Sequence, residues 1–334
     1  TGRPKGAMIH HQGLTNYLWW AQKQYLRGDK FTFPLFSSLS FDLTVTSLFL
    51  PLITGGSLRI YPDDEVDGRP AIINVIEDNA VDFIKLTPAH LTLMRDWPQL
   101  PNRIQRMIVG GEDFKRSLAK SIHDRFEGNI EIYNEYGPTE TVVGCMIPRF
   151  SAEDDQGASV SIGRPVDNEQ IYLLDQRYQP VPKGVIGEIL IGGDSVGRGY
   201  WNRPELTAER FVPDPFSAGR KLYRTGDLGR WDEKGQLEFL GRADYQVKLN
   251  GYRIELGEIE AALLRHQAVQ SAIVILSEEN DTSDKPSGKQ LLAYFTADDE
   301  QSTDNLKTFL GKALPNYMMP HHFIQLEALP LTQN

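Results

Sequence analysis

Residues 71–86 read Ala-Ile-Ile-Asn-Val-Ile-Glu-Asp-Asn-Ala-Val-Asp-Phe-Ile-Lys-Leu, and this stretch decides the fold class. Ala71–Asp78 is amphipathic and reads as a helix, and Asp82–Leu86 is a short apolar run that reads as a strand. Working outward, Ser57–Tyr61 is a strand ahead of it and Pro88–Asp96 a helix behind it. Arg106–Val109 is a further strand ending in Gly110-Gly111. Strand, helix and strand at this spacing predict an α/β architecture with parallel pairing. From about Ser161 the character changes to short strands between Gly and Pro turns, at Gln170–Leu174, Gly187–Ile191 and Gln236–Leu240. That pattern predicts an antiparallel β region.

After Gly241-Arg-Ala-Asp244 a small α+β unit begins. It has helices at Glu255–Leu264 and Asp304–Leu314, the second stopped by Pro315, and strands at Ser271–Leu276 and Gln290–Phe295. The polar, turn-rich Glu278–Lys289 stretch is expected to be a mobile loop. The expected division is therefore 1–243 for a core subdomain and 244–334 for a smaller one.

Composition sets bounds. With 40% hydrophobic and 24% charged residues in 334, the chain has material for a core, which excludes wholesale disorder. A net charge of −10 argues against nonspecific binding to nucleic acid or to an anionic membrane. The single cysteine, Cys145, excludes an internal disulfide and a Cys-based zinc site, and fits a reducing, cytoplasmic compartment. Leu48–Ile53, the longest apolar stretch, is far too short to span a bilayer. The seven histidines form no His-Glu-x-x-His, so no zinc is expected. Trp19-Trp20 and the Phe31, Phe33, Phe36 and Phe41 group read as core. The chain opens inside a Gly-rich turn and is expected to be a piece of something longer.

Several short motifs could carry chemistry, each beside a plainer reading. Thr1-Gly-Arg-Pro-Lys-Gly6 offers backbone N–H groups and a lysine to phosphate, or is a turn; it lacks P-loop spacing. Asn134-Glu-Tyr-Gly-Pro-Thr-Glu-Thr141 sets an aromatic, a hydroxyl and a carboxylate at a strand end, suiting a nucleotide and a hard cation, or is a solvated Gly-Pro turn. Tyr223-Arg-Thr-Gly-Asp227 places a carboxylate after a turn, where it could accept ribose hydroxyls or close an Asx-turn. Gly193-Asp-Ser-Val-Gly-Arg-Gly199 has the wrong glycine spacing for a dinucleotide fingerprint.

Their order along the chain is more specific than any one of them. These motifs, with Phe41-Asp42, Gly187-Glu-Ile-Leu-Ile-Gly-Gly193, Gly241–Lys248, Arg253–Glu260 and Leu314–Pro320, run in one series. That series resembles the adenylate-forming superfamily from first residue to last, and within it the adenylation domain of a nonribosomal peptide synthetase. The resemblance implies an ATP-dependent ligase that joins an amino acid to AMP with release of pyrophosphate. The acyl group then passes to the phosphopantetheine thiol of a peptidyl carrier protein, with a condensation domain as a further partner in the same polypeptide. Nucleic acid and membrane are not implied partners.

By that resemblance Thr1, Gly2 and Lys5 match the later part of a phosphate-binding loop. Thr139 matches an α-phosphate contact and Glu140 a Mg²⁺ ligand; Lys5, Thr139 and Glu140 form the expected catalytic set. Tyr136 matches the adenine-stacking aromatic. Asn134 lies beside the base, Gly111-Glu112 along it, and Asp227 on the ribose, with Arg242 a second ribose or phosphate contact. Asp244 matches a hinge between half-reactions, and Lys248 and Gly251 the side facing a pantetheine tunnel. The expected fold lacks its N-terminal portion, and the chain ends at Asn334, before the family's catalytic lysine, so by itself it is expected to adenylate poorly.

The substrate pocket aligned from the same motifs is Asp42, Leu43, Thr46, Lys85, Ile108, Gly110, Glu135, Val143 and Gly144. Asp42 matches the carboxylate that pairs with an α-ammonium. Lys85 and Glu135 supply one donor and one acceptor, as an amide side chain needs, and compensate each other's charge. The combination resembles the family's asparagine pocket, with aspartate and then glutamine as neighbours. A stand-alone acyl-CoA or aryl-acid ligase is the alternative, against which Asp42 speaks.

Overall fold

The computed structural model describes residues 5–62, 69–153, 157–243, 246–249, 252–278, 289–299, 301–326 and 328. The chain divides into two compact units, Lys5–Ala243 and a second one that starts at Asp244.

At the centre of the larger unit is a three-stranded parallel sheet in the order Phe83–Leu86, Arg106–Gly110, Glu131–Glu135. Parallel strands are covered on both faces, which is why these runs are largely apolar, with Lys85, Asn134 and Glu135 as buried polar exceptions. Ile84, Leu86, Met107, Val109 and Ile132 join one core, with the helices Ala71–Asp78, Pro88–Asp96 and Arg116–Arg125. Phe83, Ile108 and Tyr133 join another, under the helices His11–Ala21 and Leu43–Thr54. The alternation of successive side chains therefore puts Lys85 and Glu135 on this second face.

Ser57–Ile60 pairs in parallel with Thr32–Leu35, not with Phe83–Leu86. Three of its four residues are exposed, as befits a strand outside the central sheet. Of the tryptophan pair expected in the core, Trp20 is buried and Trp19 is 62% exposed. Consecutive residues on a helix lie about 100° apart and cannot both face inward. The phenylalanine group is core at Phe31, Phe33 and Phe36; Phe41 is half-buried.

The antiparallel region is one sheet in which Lys221–Trp231 pairs with Gly187–Gly193, Phe211–Pro213 and Leu237–Arg242, and Gly187–Gly193 also pairs with Glu169–Leu174. In the second unit, Ser271–Glu278 pairs antiparallel with Lys289–Thr296, which pairs in parallel with His322–Gln325. Ile259, Leu263, Leu291, Ala293 and Leu310 fill its core. The expected second helix is shorter than the sequence suggests: it spans Thr303–Leu310 and ends before Gly311. Residues 279–288 of the expected loop lie outside the described residues. No helix among the described residues is long and apolar enough to cross a membrane.

Two glycines with the same backbone test how closely the larger unit is built. Gly163 and Gly184 both have φ +83, but a Cβ at Gly163 would sit 2.1 Å from the Ile147 carbonyl oxygen, whereas nothing lies within 4 Å of one at Gly184. Gly184→Ala should lower stability by about 1 kcal/mol, the cost of the left-handed conformation alone. Gly163→Ala should lower it by roughly 3 kcal/mol or more, because main chain must move. Urea midpoints would read the difference, and equal shifts would contradict the close approach.

Candidate functional site

The site grows from the C-terminal ends of the parallel strands, where α/β sheets bind ligands. Lys85 lies beside Ile108, and Gly110 beside Glu135. The ammonium of Lys85 reaches across the middle strand to Glu135 Oε2. Both are buried, at 2% and 4% exposure. A buried pair is tolerable only when its remaining hydrogen-bond capacity is filled. Here Thr46 Oγ1 accepts from Lys85 Nζ at 3.0 Å, and Glu135 Oε1 accepts from the hydroxyls of Tyr17 at 2.9 Å and Tyr25 at 2.6 Å.

The Thr141–Cys145 segment closes over this pair. Val142 and Val143 have φ 55 and 51, in the left-handed region that β-branched residues avoid. A Cβ at Gly144 would meet Glu135 Cδ at 2.5 Å, so only glycine lets this backbone lie on the carboxylate. Asp42, half-buried just ahead of the helix Leu43–Thr54, accepts from Thr139 Oγ1 at 2.5 Å. Burial pushes its carboxyl above the usual range, while the Thr139 hydrogen bond and the Lys85 charge pull it down.

Two further carboxylates stand near by, Glu140 next to Thr139 in sequence and Asp227 through its contact with Tyr136. Glu140 is buried on the short turn Thr139–Thr141 and accepts from Tyr200 OH at 2.5 Å; Tyr223 OH is 3.4 Å beyond. Burial and the Glu140 charge raise the Tyr200 phenol far above its ordinary value. Ala7–Met8 pairs with Gly199–Tyr200, which brings the segment carrying Lys5 alongside Tyr200. Asp227 sits opposite Arg242 where the strand pairing is irregular. It accepts from Arg242 Nη1 at 2.6 Å and from Tyr136 OH, while Arg242 Nη2 donates to the Thr225 carbonyl at 3.0 Å.

Thus Asp42, Thr46, Lys85, Gly110, Glu135 and Gly144 come together as expected neighbours, with Leu43, Ile108 and Val143 on the elements that carry them. Glu140 with Thr139, and Tyr136 with Asp227 and Arg242, form adjoining groups. Asn134 is turned to structure: its amide donates to the Val160 and Ser161 carbonyls at 3.2 and 2.7 Å. Gly111 (φ 89) and Glu112 follow the middle strand. Thr1, Gly2, Asp244, Gly251 and Asn334 lie outside the described residues. Sequence reasoning missed Tyr17, Tyr25, Tyr200 and Glu169, because single tyrosines and glutamates carry no spacing signal.

Glu169 explains the Gly193–Gly199 stretch. Its Oε2 accepts from Ser195 Oγ at 2.5 Å, and its Oε1 accepts from Ser195 N–H at 3.0 Å and Asn16 Nδ2 at 3.3 Å. The loop so anchored returns the Gly197 N–H to the Glu140 carbonyl at 2.9 Å. Burial pushes the Glu169 carboxyl up to about 7.

The AMP-binding enzyme family matches residues 1–201, and the AMP-binding enzyme C-terminal domain matches residues 258–334. The chain is 51% identical over its whole length to tyrocidine synthase 3 of Brevibacillus parabrevis, of which it spans 5%, and 50% identical to bacitracin synthase 3 of Bacillus licheniformis, of which it again spans 5%. It therefore spans a small part of the curated relatives it matches. Among solved structures it is similar to PA1221, described as an NRPS protein containing adenylation and PCP domains. That likeness has a TM-score of 0.85 and 28% identity, over 99% of this chain and 56% of that one. The Vibrio cholerae adenylation domain AlmE, in complex with glycyl-adenosine-5'-phosphate, gives 0.86 and 25% over 99% and 62%.

A carboxyl whose value rises on folding contributes stability below its unfolded range, and that contribution is lost as pH rises through the folded value. For Glu169 the window runs from the ordinary carboxylate range to about 7. Glu169→Gln removes the titrating group and keeps an acceptor. Thermal melts should show the wild type losing stability relative to the variant between about pH 5 and about pH 8. Parallel pH profiles would contradict the assignment.

Proposed function

The chain belongs to the AMP-binding enzyme family, and from that premise we propose that it activates L-asparagine with ATP and passes it to a carrier-protein thiol in nonribosomal peptide synthesis. The observation that carries the asparagine reading is the buried Lys85–Glu135 pair, one donor group beside one acceptor group. A primary amide completes both. A carboxylate would meet Glu135 with like charge, and burial makes that mismatch expensive.

In this reading the α-ammonium pairs with Asp42 and the amino-acid carboxylate attacks the α-phosphorus of ATP. An O–P bond forms, the bond to the β-phosphate breaks, and pyrophosphate leaves. Such transfer needs positioning and charge neutralisation more than covalent help from the protein. Lys5 and Thr139 lie along the phosphates, Tyr136, Gly111 and Glu112 along the adenine, and Asp227 with Arg242 at the ribose. Mg²⁺ would neutralise phosphate charge. Magnesium bound with a nucleotide takes one or two protein carboxylates and fills the rest with phosphate and water. Glu140 fits that donor set, and among the described residues no cluster of three or more acidic, His or Cys side chains competes for the ion.

The carrier's phosphopantetheine thiol then attacks the acyl carbon, giving a thioester and AMP. Asp244 is the proposed hinge at the boundary of the 1–243 and 244–334 subdomains, and the carrier and condensation domains are proposed to lie in the same polypeptide. Aspartate and glutamine are the nearest alternative substrates. A stand-alone acyl-CoA or aryl-acid ligase would leave Asp42 with no cation to meet.

The test is amino-acid-dependent pyrophosphate exchange by the full-length protein across the twenty amino acids, with asparagine expected to give the highest kcat/KM. Glu135→His removes the carboxylate and offers a donor, so the Asn/Asp ratio should fall by about tenfold or more. An unmoved ratio would mean that Glu135 does not face the side chain.

Asp42 gives a second outcome. Its raised carboxyl means that folding disfavours the ionised form, so its contribution is lost as pH rises above the ordinary carboxylate range. Asp42→Asn should therefore raise Tm at about pH 8 more than at about pH 4, while exchange falls by about 100-fold or more from the unpaired ammonium. A lower Tm at both pH values would contradict the strain assigned to this carboxylate.

A further inference from the structure

Glu135 is held from two sides, and the hydrogens can be counted. Tyr25 OH donates to Oε1 at 2.6 Å, and Tyr17 OH donates to the same oxygen at 2.9 Å. Tyr17 OH also lies 2.6 Å from Thr46 Oγ1. One of those two hydroxyls must donate, and since the Tyr17 proton is on Oε1, the donor is Thr46. Lys85 has three N–H donors. One goes to Glu135 Oε2 and one to Thr46 Oγ1 at 3.0 Å; the third has the Tyr17 oxygen at 3.4 Å. Both lone pairs of Oε1 are thus filled, Oε2 keeps one, and one Lys85 proton is loosely held. Burial and the Glu135 charge raise both phenols well above their ordinary range, so they remain donors throughout the working pH range.

The backbone is arranged to deliver both hydroxyls to one oxygen. Tyr17 is on the α-helix His11–Ala21, and Tyr25 is on the π-helical turn Gln22–Leu26 that continues it. In an uninterrupted α-helix, residues eight apart point about 80° away from each other. A π turn is wider, so each residue advances less, and Tyr25 comes round to the face of Tyr17. The Tyr25 ring is then fixed by Trp20, Tyr133 and Phe83, with centroids 5.2, 5.3 and 5.9 Å away.

We propose that Tyr17 and Tyr25 are specificity-determining positioning residues. By filling Oε1 of Glu135 they leave Oε2 and the third Lys85 proton as the one acceptor and one donor presented to the substrate side chain. A primary amide completes that pair and a carboxylate does not. The proposal rests on the asparagine reading and deepens it. Two residues outside the pocket lining set its selectivity through a third.

Tyr25→Phe keeps the ring and its packing and removes one hydroxyl. In the full-length protein, pyrophosphate exchange with Asn, Asp and Gln should show the Asn/Asp ratio of kcat/KM falling about tenfold, carried mainly by a higher KM for Asn. Tyr17→Phe should act in the same direction. The double variant should lose less than the product of the two single losses, because both act on one oxygen. A ratio unchanged in Tyr25→Phe, or an equal fall in kcat for all three acids, overturns the proposal and leaves the asparagine reading standing. A wild type that favours a different amino acid overturns the asparagine reading itself. The positioning role is then decided by a crystal structure of the double variant: a Glu135 carboxylate turned from its present plane supports it, and an unmoved one overturns it.

Discussion

The salt bridge between Lys85 and Glu135 is the constraint around which the larger unit is organised. Two charges taken out of water in a parallel sheet are stable only with close contact and supporting hydrogen bonds. Gly110 leaves room for the main chain of Glu135, whose carbonyl oxygen would lie 2.8 Å from a Cβ there, and Gly144 lets the Thr141–Cys145 backbone lie against the carboxylate. Tyr17 and Tyr25 fill Glu135 Oε1, and Thr46 accepts from Lys85. Losing either ion would leave the other uncompensated, so the pair ties helix, sheet and covering segment into one requirement.

A second regularity is the way the carboxylates are held. Asp42 is bonded by Thr139, Glu140 by Tyr200, Asp227 by Tyr136, Glu135 by Tyr17 and Tyr25, and Glu169 by Ser195. A hydroxyl satisfies a lone pair without cancelling charge. It fixes the group in place while leaving the negative charge able to meet an ammonium or a metal. Glu135 and Asp227 also carry a buried cation.

Much of this was legible in the sequence, for identifiable reasons. The strands Phe83–Leu86 and Arg106–Gly110 are short runs dominated by apolar residues, Lys85 and Arg106 excepted, with glycine or polar punctuation, a strong signal. The candidate site residues with a motif around them, such as Asp42, Glu140 and Asp227, could be aligned by their neighbours. Tyr17 and Tyr25 could not, since their partnership depends on a π turn that no local periodicity announces. The pairing of Ser57–Ile60 with Thr32–Leu35 was equally hidden. Strand identity follows from local composition, whereas strand neighbours follow from what covers each face.

The two left-handed valines above Glu135 have a consequence for how such a pocket can change. Val143 is both a proposed lining position and a residue of left-handed main chain, so its side chain and the path of the backbone are not separate variables. A residue without a branched β-carbon there would relax the turn and lift the segment that Gly144 presses onto the carboxylate. Retuning this pocket is therefore a problem in loop architecture as much as in side-chain chemistry. Exchanging lining residues one at a time, on a backbone assumed to be rigid, is a poor guide to what a new lining would recognise.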